Sequence, residues 1–246
     1  QSALRLYDEA RLRFRFRSFE ALTLASLAAQ SHGDFTLIVL TSQAMPEVWR
    51  ARLGALCARL PQARLIISGA ADVGAALRPV LHELSQKGAR RLIQFRLDDD
   101  DCVPVDYIAR LARAAVVMRD YPAFAFSLPR ALVMTRYGDL APLHYELSRP
   151  FHAAGAAAAL SRPGLSIFAF GHYGLMRRFP ALTDPAPHGS LQLKIDGHDS
   201  RALTPRTEPG LTPLDPAAFG RALAAGFPFL DQQVLADLVA APPVAG

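Results

Sequence analysis

Apolar positions in the first half of the chain switch repeatedly between the two periods that mark strands and helices. From Arg11 to Arg17 every second residue is arginine, with Leu12, Phe14 and Phe16 between them. That alternation fits a short amphipathic strand or the lead-in to a helix, and periodicity alone does not separate the two. Ser18 is placed to cap a helix carrying Leu22, Leu24 and Leu27, which Gly33-Asp34 breaks. Residues 35–40 form a compact apolar run ending in Thr41-Ser42, the pattern of a buried parallel strand. Pro46 suits a helix start, and Trp49, Leu53, Leu56 and Leu60 follow at helical spacing until Pro61. Residues 65–68 read as a second strand. Val73, Leu77, Val80, Leu81 and Leu84 then make a helix stripe closed by Gly88. Residues 92–97 are a third strand, running directly into Asp98-Asp99-Asp100-Asp101, and Pro104 opens a further helix through Ile108 and Leu111.

Strands and helices alternating with short links predict an α/β fold, a Rossmann-like, mostly parallel sheet sandwiched by helices. Ligands of such sheets collect at the carboxyl ends of the strands, where the four aspartates stand. After residue 120 the rhythm loosens. Apolar segments at 123–128, 131–135, 165–170 and 191–195 read as extra strands and loops completing the same domain, residues 230–239 as a last helix, and 240–246 as a tail.

Charge changes the picture only slightly. The net charge is +5, and of 27 basic residues only Lys87 and Lys194 are lysines. Guanidinium groups suit phosphate because they fork onto two oxygens. No basic patch interleaved with aromatics argues for nucleic acid. A positive face also permits peripheral contact with an anionic membrane surface. No run of about 18 apolar residues is present to span a bilayer, and Gln1 opens a mixed segment rather than a signal peptide. Cys57 and Cys102 predict reduced thiols in a cytoplasmic protein, Cys57 as a small core residue.

The aspartates carry the candidate chemistry. Adjacent carboxylates repel one another and become favourable around a cation. All-oxygen ligands suit Mg²⁺ or Mn²⁺. Asp98 and Asp100 can face one site while the residue between them bonds the loop or solvent; the competing reading is a solvated acidic turn. Asp106 reads as a partner of the next helix's N-terminus. Asp99-Asp100-Asp101-Cys102-Val103 also fits the aspartate-x-aspartate-x-valine pattern of haloacid-dehalogenase-type phosphatases, which usually carry it near the chain start and need a later lysine. A prenyl-diphosphate motif fails at Cys102.

The run FEALTLASLAAQSHGDFTLIVLTS resembles the opening of family-2-type glycosyltransferases with the GT-A fold. LIQFRLDDDDCVPVDYIARL is similar to their metal-binding strand end followed by a helix begun by proline. The pattern as a whole is most similar to a bacterial rhamnosyltransferase family. It has an Arg-rich start, here from Leu6-Tyr7-Asp8 to Leu24, then the acidic cluster, then His198-Asp199-Ser200-Arg201. The resemblance implies a glycosyltransferase moving a sugar, rhamnose by the family's name, from a nucleotide-diphosphate donor to a glycan or lipid-linked acceptor. Residues 1–120 would then be the donor half and 121–239 the acceptor side. Asp98, Asp100, Asp101 and His198 become candidate metal ligands, and Thr41, Arg96 and Arg201 candidate donor contacts.

The chain departs from that pattern in three places. Typical members begin with a strand ahead of the Arg-rich segment, which predicts one missing here. Thr41-Ser42 replace the usual acidic strand end, and no Glu-Asp pair supplies a base. An inverting transfer needs one, because the acceptor hydroxyl loses its proton as it attacks. The candidates are Asp199, His172, Asp184 and Glu146, with His144 and His152 behind them. His172 is expected at the end of an apolar strand. A non-catalytic nucleotide-sugar or metal-binding module is the alternative from another class.

Overall fold

The computed structural model describes residues 6–86, 91–196 and 202–240. The Arg-rich alternation forms a helix. Asp8 accepts a hydrogen bond from the Arg11 amide at 3.0 Å and caps α1 (Glu9–Ser18). A two-residue spacing survives in a helix here because residues two apart face nearly opposite sides, and both sides are covered. Leu12 and Phe16 enter one core cluster and Phe14 another. Ser18 does not cap a new helix; its hydroxyl donates to the Phe14 and Arg15 carbonyls, inside a continuous helical run. That run continues through a π-helical stretch (Phe19–Leu24) and α2 (Ala25–Ala28).

β1 (Leu37–Ser42), α3 (Glu47–Cys57) and β2 (Ala63–Ser68) make a parallel crossover, in register from Leu37↔Ala63 to Ser42↔Ser68. α4 (Val73–Gln86) follows, with Pro79 inside it, then β3 (Ile93–Phe95). β3 does not pair with β1. It opens a second sheet, and the facing edges of the two strands border a common cavity. Residues 37–40 are therefore half-buried rather than the buried strand expected.

Past β4 (Asp101–Cys102) and α5 (Tyr107–Val117), the second half of the chain interleaves with the first. β5 (Phe124–Ser127), β8 (Ala157–Ala159) and β9 (Ala181–Thr183) join β3 in the order β3-β8-β5-β9. β6 (Arg130–Arg136), β7 (Leu143–Ser148), β10 (His188–Ile195) and β11 (Leu211–Pro213) join β4 in the order β11-β7-β6-β10-β4. β10 runs parallel to β6 and β9 to β5, and antiparallel pairings complete both sheets. The class is α/β, with helices flanking mixed sheets. Two C-terminal helices, α7 (Pro216–Gly226) and α8 (Gln232–Ala240), put Phe219, Leu223, Leu235 and Leu238 against Leu191 and Leu193 of β10. Asp215 caps the first through the Ala217 and Ala218 amides.

Residues 165–170 are not a strand. Ser166 caps a 3₁₀ turn (Ile167–Ala169), and α6 (His172–Arg178) follows it. The Gln94 side chain donates to the Leu165 carbonyl at 2.8 Å and accepts from the Ile167 amide at 3.0 Å. One amide group thus satisfies backbone that a neighbouring strand would otherwise serve. His172 accordingly begins a helix instead of ending a strand.

Candidate functional site

The acidic turn links β3 to β4 and is gripped by the N-terminal helix. Arg15 forks onto Asp99, its Nε 2.9 Å from Oδ2 and its other arm on Oδ1. Thr23, in the π-helical stretch, donates to the Asp101 carbonyl at 2.9 Å and lies 3.2 Å from that of Asp98. Departures from α-helical winding recur at functional sites; this one faces the turn. Further along, Gln30 donates to the Pro104 carbonyl and accepts from the Ile108 amide, fixing α5 to the same support.

With Asp99 held by Arg15, the other three carboxylates converge. One oxygen each from Asp98, Asp100 and Asp101 lies within 4.8 Å of the others, on an exposed, a half-buried and a buried residue respectively. Asp101 is 2% exposed, and its Oδ1 has no hydrogen-bond partner. Burial pushes its carboxyl well above the usual range; Lys194 pulls the other way, and the neighbouring aspartates add to the rise. Burial also lowers the pKa of the Lys194 ammonium, but Asp101, Asp100 and Asp98 more than offset this. An orphaned buried oxygen among like charges is what a hard divalent cation would satisfy, so the residues present fit one.

The turn opens into a cavity of about 1030 Å³. Asp98, Asp99, Asp100, Lys194 and Arg96 line its polar end, and residues 37–40 and α4 its apolar end. The Arg96 guanidinium lies over the Phe168 ring, 4.9 Å from its centroid, and its Nε has no partner. An arm of the same group is 4.0 Å from Asp98. His172 is itself outside that lining but feels these charges: burial first, then Arg96 and Arg149, lower its pKa, and Asp98 opposes them. Its imidazole is therefore neutral at pH 7. Arg149 stacks on Tyr173 at 4.2 Å and pairs with Glu208.

Other candidates are placed elsewhere. Asp184 pairs with Arg110 at 3.0 Å and accepts from the Ala186 amide, outside the cavity lining. Glu146 is forked by Arg130 at 3.1 and 2.7 Å and meets His188 at 2.8 Å, also outside that lining. These contacts hold the Glu146 carboxyl below its usual range, the Arg130 hydrogen bond most of all. Thr41 is buried, its hydroxyl 3.5 Å from the Met45 sulfur. His144 packs on Phe219 at 4.5 Å. His152 is buried with both ring nitrogens used, one on the Leu128 carbonyl and one on Gln192, and burial takes it down to about 4. Asp106 caps no amide; it binds Arg110 at 2.8 Å. Burial and then Asp101 raise the fully buried Cys102 thiol, so it carries no appreciable thiolate. His198, Asp199 and Arg201 lie outside the described residues.

Residues 1–207 match the family described as "Putative rhamnosyl transferase". The chain belongs to that family. No curated protein matches it. The matched span holds the clamping helix, the acidic turn, His172 and β10, and stops short of β11, α7 and α8. Rhamnosyl transferase membership makes sugar transfer the chemistry to be accounted for, with a nucleotide-sugar donor and an acceptor as its reactants. It also separates the acidic turn from the phosphatase pattern, whose nucleophile would be Asp99, the carboxylate engaged by Arg15. Among the described residues no helix is long and apolar enough to cross a membrane. Neither Lys194 as a neighbour of the aspartates nor the Arg149–Tyr173 stack had a signal in the sequence, since both depend on which strands and loops meet.

Proposed function

We propose that the protein transfers a sugar, rhamnose by its family, from a nucleotide-diphosphate donor to a glycan or lipid-linked acceptor, with Mn²⁺ or Mg²⁺ held by Asp98, Asp100 and Asp101. The observation that carries this reading is the buried, unpartnered Asp101 Oδ1, converging with Asp98 and Asp100 while Arg15 withdraws Asp99. A divalent ion held there would neutralise the donor diphosphate and stabilise it as a leaving group.

The chain's own groups supply the rest. Arg96, braced on Phe168 and with Nε unpaired, offers a fork to a donor phosphate. His172 is the proton acceptor we favour, because its imidazole is unprotonated at pH 7 and feels the charges of Asp98 and Arg96. Asp184 and Glu146 are each paired with an arginine and are weaker bases for this reaction. His198 as a further metal ligand, Arg201 as a second phosphate contact and Asp199 as an alternative base rest on the family resemblance, and Thr41 on its place at the end of β1.

Release of nucleoside diphosphate from a panel of nucleotide-diphosphate sugars, rhamnose donors included, tests the proposal. Turnover should require Mn²⁺ or Mg²⁺ and vanish in Asp98→Ala/Asp100→Ala. A protein that binds donor but never turns it over with any acceptor would be a binding module.

A further inference from the structure

Strand β10 alternates faces along its length. Leu191, Leu193 and Ile195 enter the core under α7 and α8, which leaves Gln192 and Lys194 for the other side. Gln192 is in register with Asp101 across the antiparallel pairing and hydrogen-bonds His152. Lys194, two residues on, lines the cavity beside Asp98, Asp99 and Asp100. A half-buried ammonium needs nearby negative charge to offset its lost hydration, and the carboxylates that act on it are those of Asp101, Asp100 and Asp98. Arg15 already accounts for Asp99. Arg96 reaches Asp98 at 4.0 Å, and Lys194 is the cation that acts on the buried Asp101.

We propose that Lys194 is a fixed cation of the acidic site, a positioning residue that neutralises one of the three carboxylates, so that the turn stays folded before metal binds and then takes one divalent ion. The proposal rests on the metal site argued above for its second half only. It predicts that Lys194 costs metal affinity, since its ammonium repels the incoming ion, and that it contributes stability when metal is absent.

The test uses the whole chain and MnCl₂ alone, comparing the wild type, Lys194→Met, Asp101→Asn and the double variant by calorimetric titration and thermal melting. Lys194→Met should lower the metal-free Tm and tighten Mn²⁺ binding by at least about tenfold, as removing a unit charge near a divalent ion requires. Mn²⁺ should then raise its Tm more than it raises that of the wild type. Adding Asp101→Asn should restore the metal-free Tm, because the stranded carboxylate is gone. Unchanged Mn²⁺ affinity in Lys194→Met, or no recovery in the double variant, would overturn the proposal. If Lys194→Met does not fold, folding of the double variant supports the pairing and its failure refutes it. If no variant binds Mn²⁺, the metal site fails, and the metal-free stability of the four proteins alone decides whether Lys194 neutralises Asp101.

Discussion

Two acidic regions of this molecule have similar composition and opposite construction. Around Glu146 and Asp184 each carboxylate meets a guanidinium, Arg130 for one and Arg110 for the other, with His188 and Asp106 completing the groups. Around residues 98–101, Arg15 serves Asp99, while Asp101, the most buried carboxylate among the described residues, has an oxygen with no partner. Paired carboxylates hold strands and helices together. A buried carboxylate oxygen without a hydrogen bond opposes folding, and the proposed divalent ion would satisfy it. Counting acidic residues would not distinguish the two regions; their partners do.

The sharpest way to break the comparison is to neutralise each region and ask what is lost. Asp98→Asn/Asp100→Asn should reduce sugar transfer by about a thousandfold or more. It should leave the metal-free Tm unchanged or higher, because like charges have been removed. His172→Gln should cost about a hundredfold or more in turnover. In the wild type, turnover should fall as pH drops through a value below the ordinary histidine range, since burial and Arg96 lower this pKa; that acid limb should vanish in the variant. Arg15→Met releases Asp99 without touching a converging carboxylate, and should cost about ten- to a hundredfold in metal affinity. Arg130→Met should behave in the reverse way. It leaves the partly buried Glu146 with His188 but without its guanidinium, at a cost of about 1–3 kcal/mol in denaturant unfolding, with turnover per folded molecule unchanged.

The narrowest effect, confined to acid pH, concerns His152. Its folded pKa, down to about 4, lies below the ordinary 6.5. Between those values the unfolded chain binds a proton that the folded chain does not. Stability should therefore decline as pH falls from 6.5 toward 4, by on the order of 3 kcal/mol at most. His152→Asn should flatten that part of the profile in urea titrations, whatever its effect at neutral pH.

Much of the first half was legible because strand and helix periods alternate there with clear punctuation. The crossover from β1 to β2 and the strand leading into the four aspartates follow from apolar runs bounded by Pro and Gly. What escaped is tertiary in origin. Arg11 to Arg17 alternates like a strand only because α1 is packed on two sides. β8 is three alanines, residues with no strand preference of their own, selected by burial between β3 and β5. Residues 165–170 looked like a strand until Gln94 supplied their hydrogen bonds from the side. In the site, the run of aspartates pointed to a candidate cation site, but which of the four is withdrawn depends on Arg15, 84 positions away.

The central claim is that three carboxylates of the acidic turn hold a divalent ion on which donor binding depends. Calorimetry of nucleoside diphosphates with and without Mn²⁺, on the wild type and on Asp98→Ala/Asp100→Ala, tests it most directly. Binding should require Mn²⁺ and be lost in the double variant. Equal binding without metal, or binding that survives in the folded double variant, would contradict it.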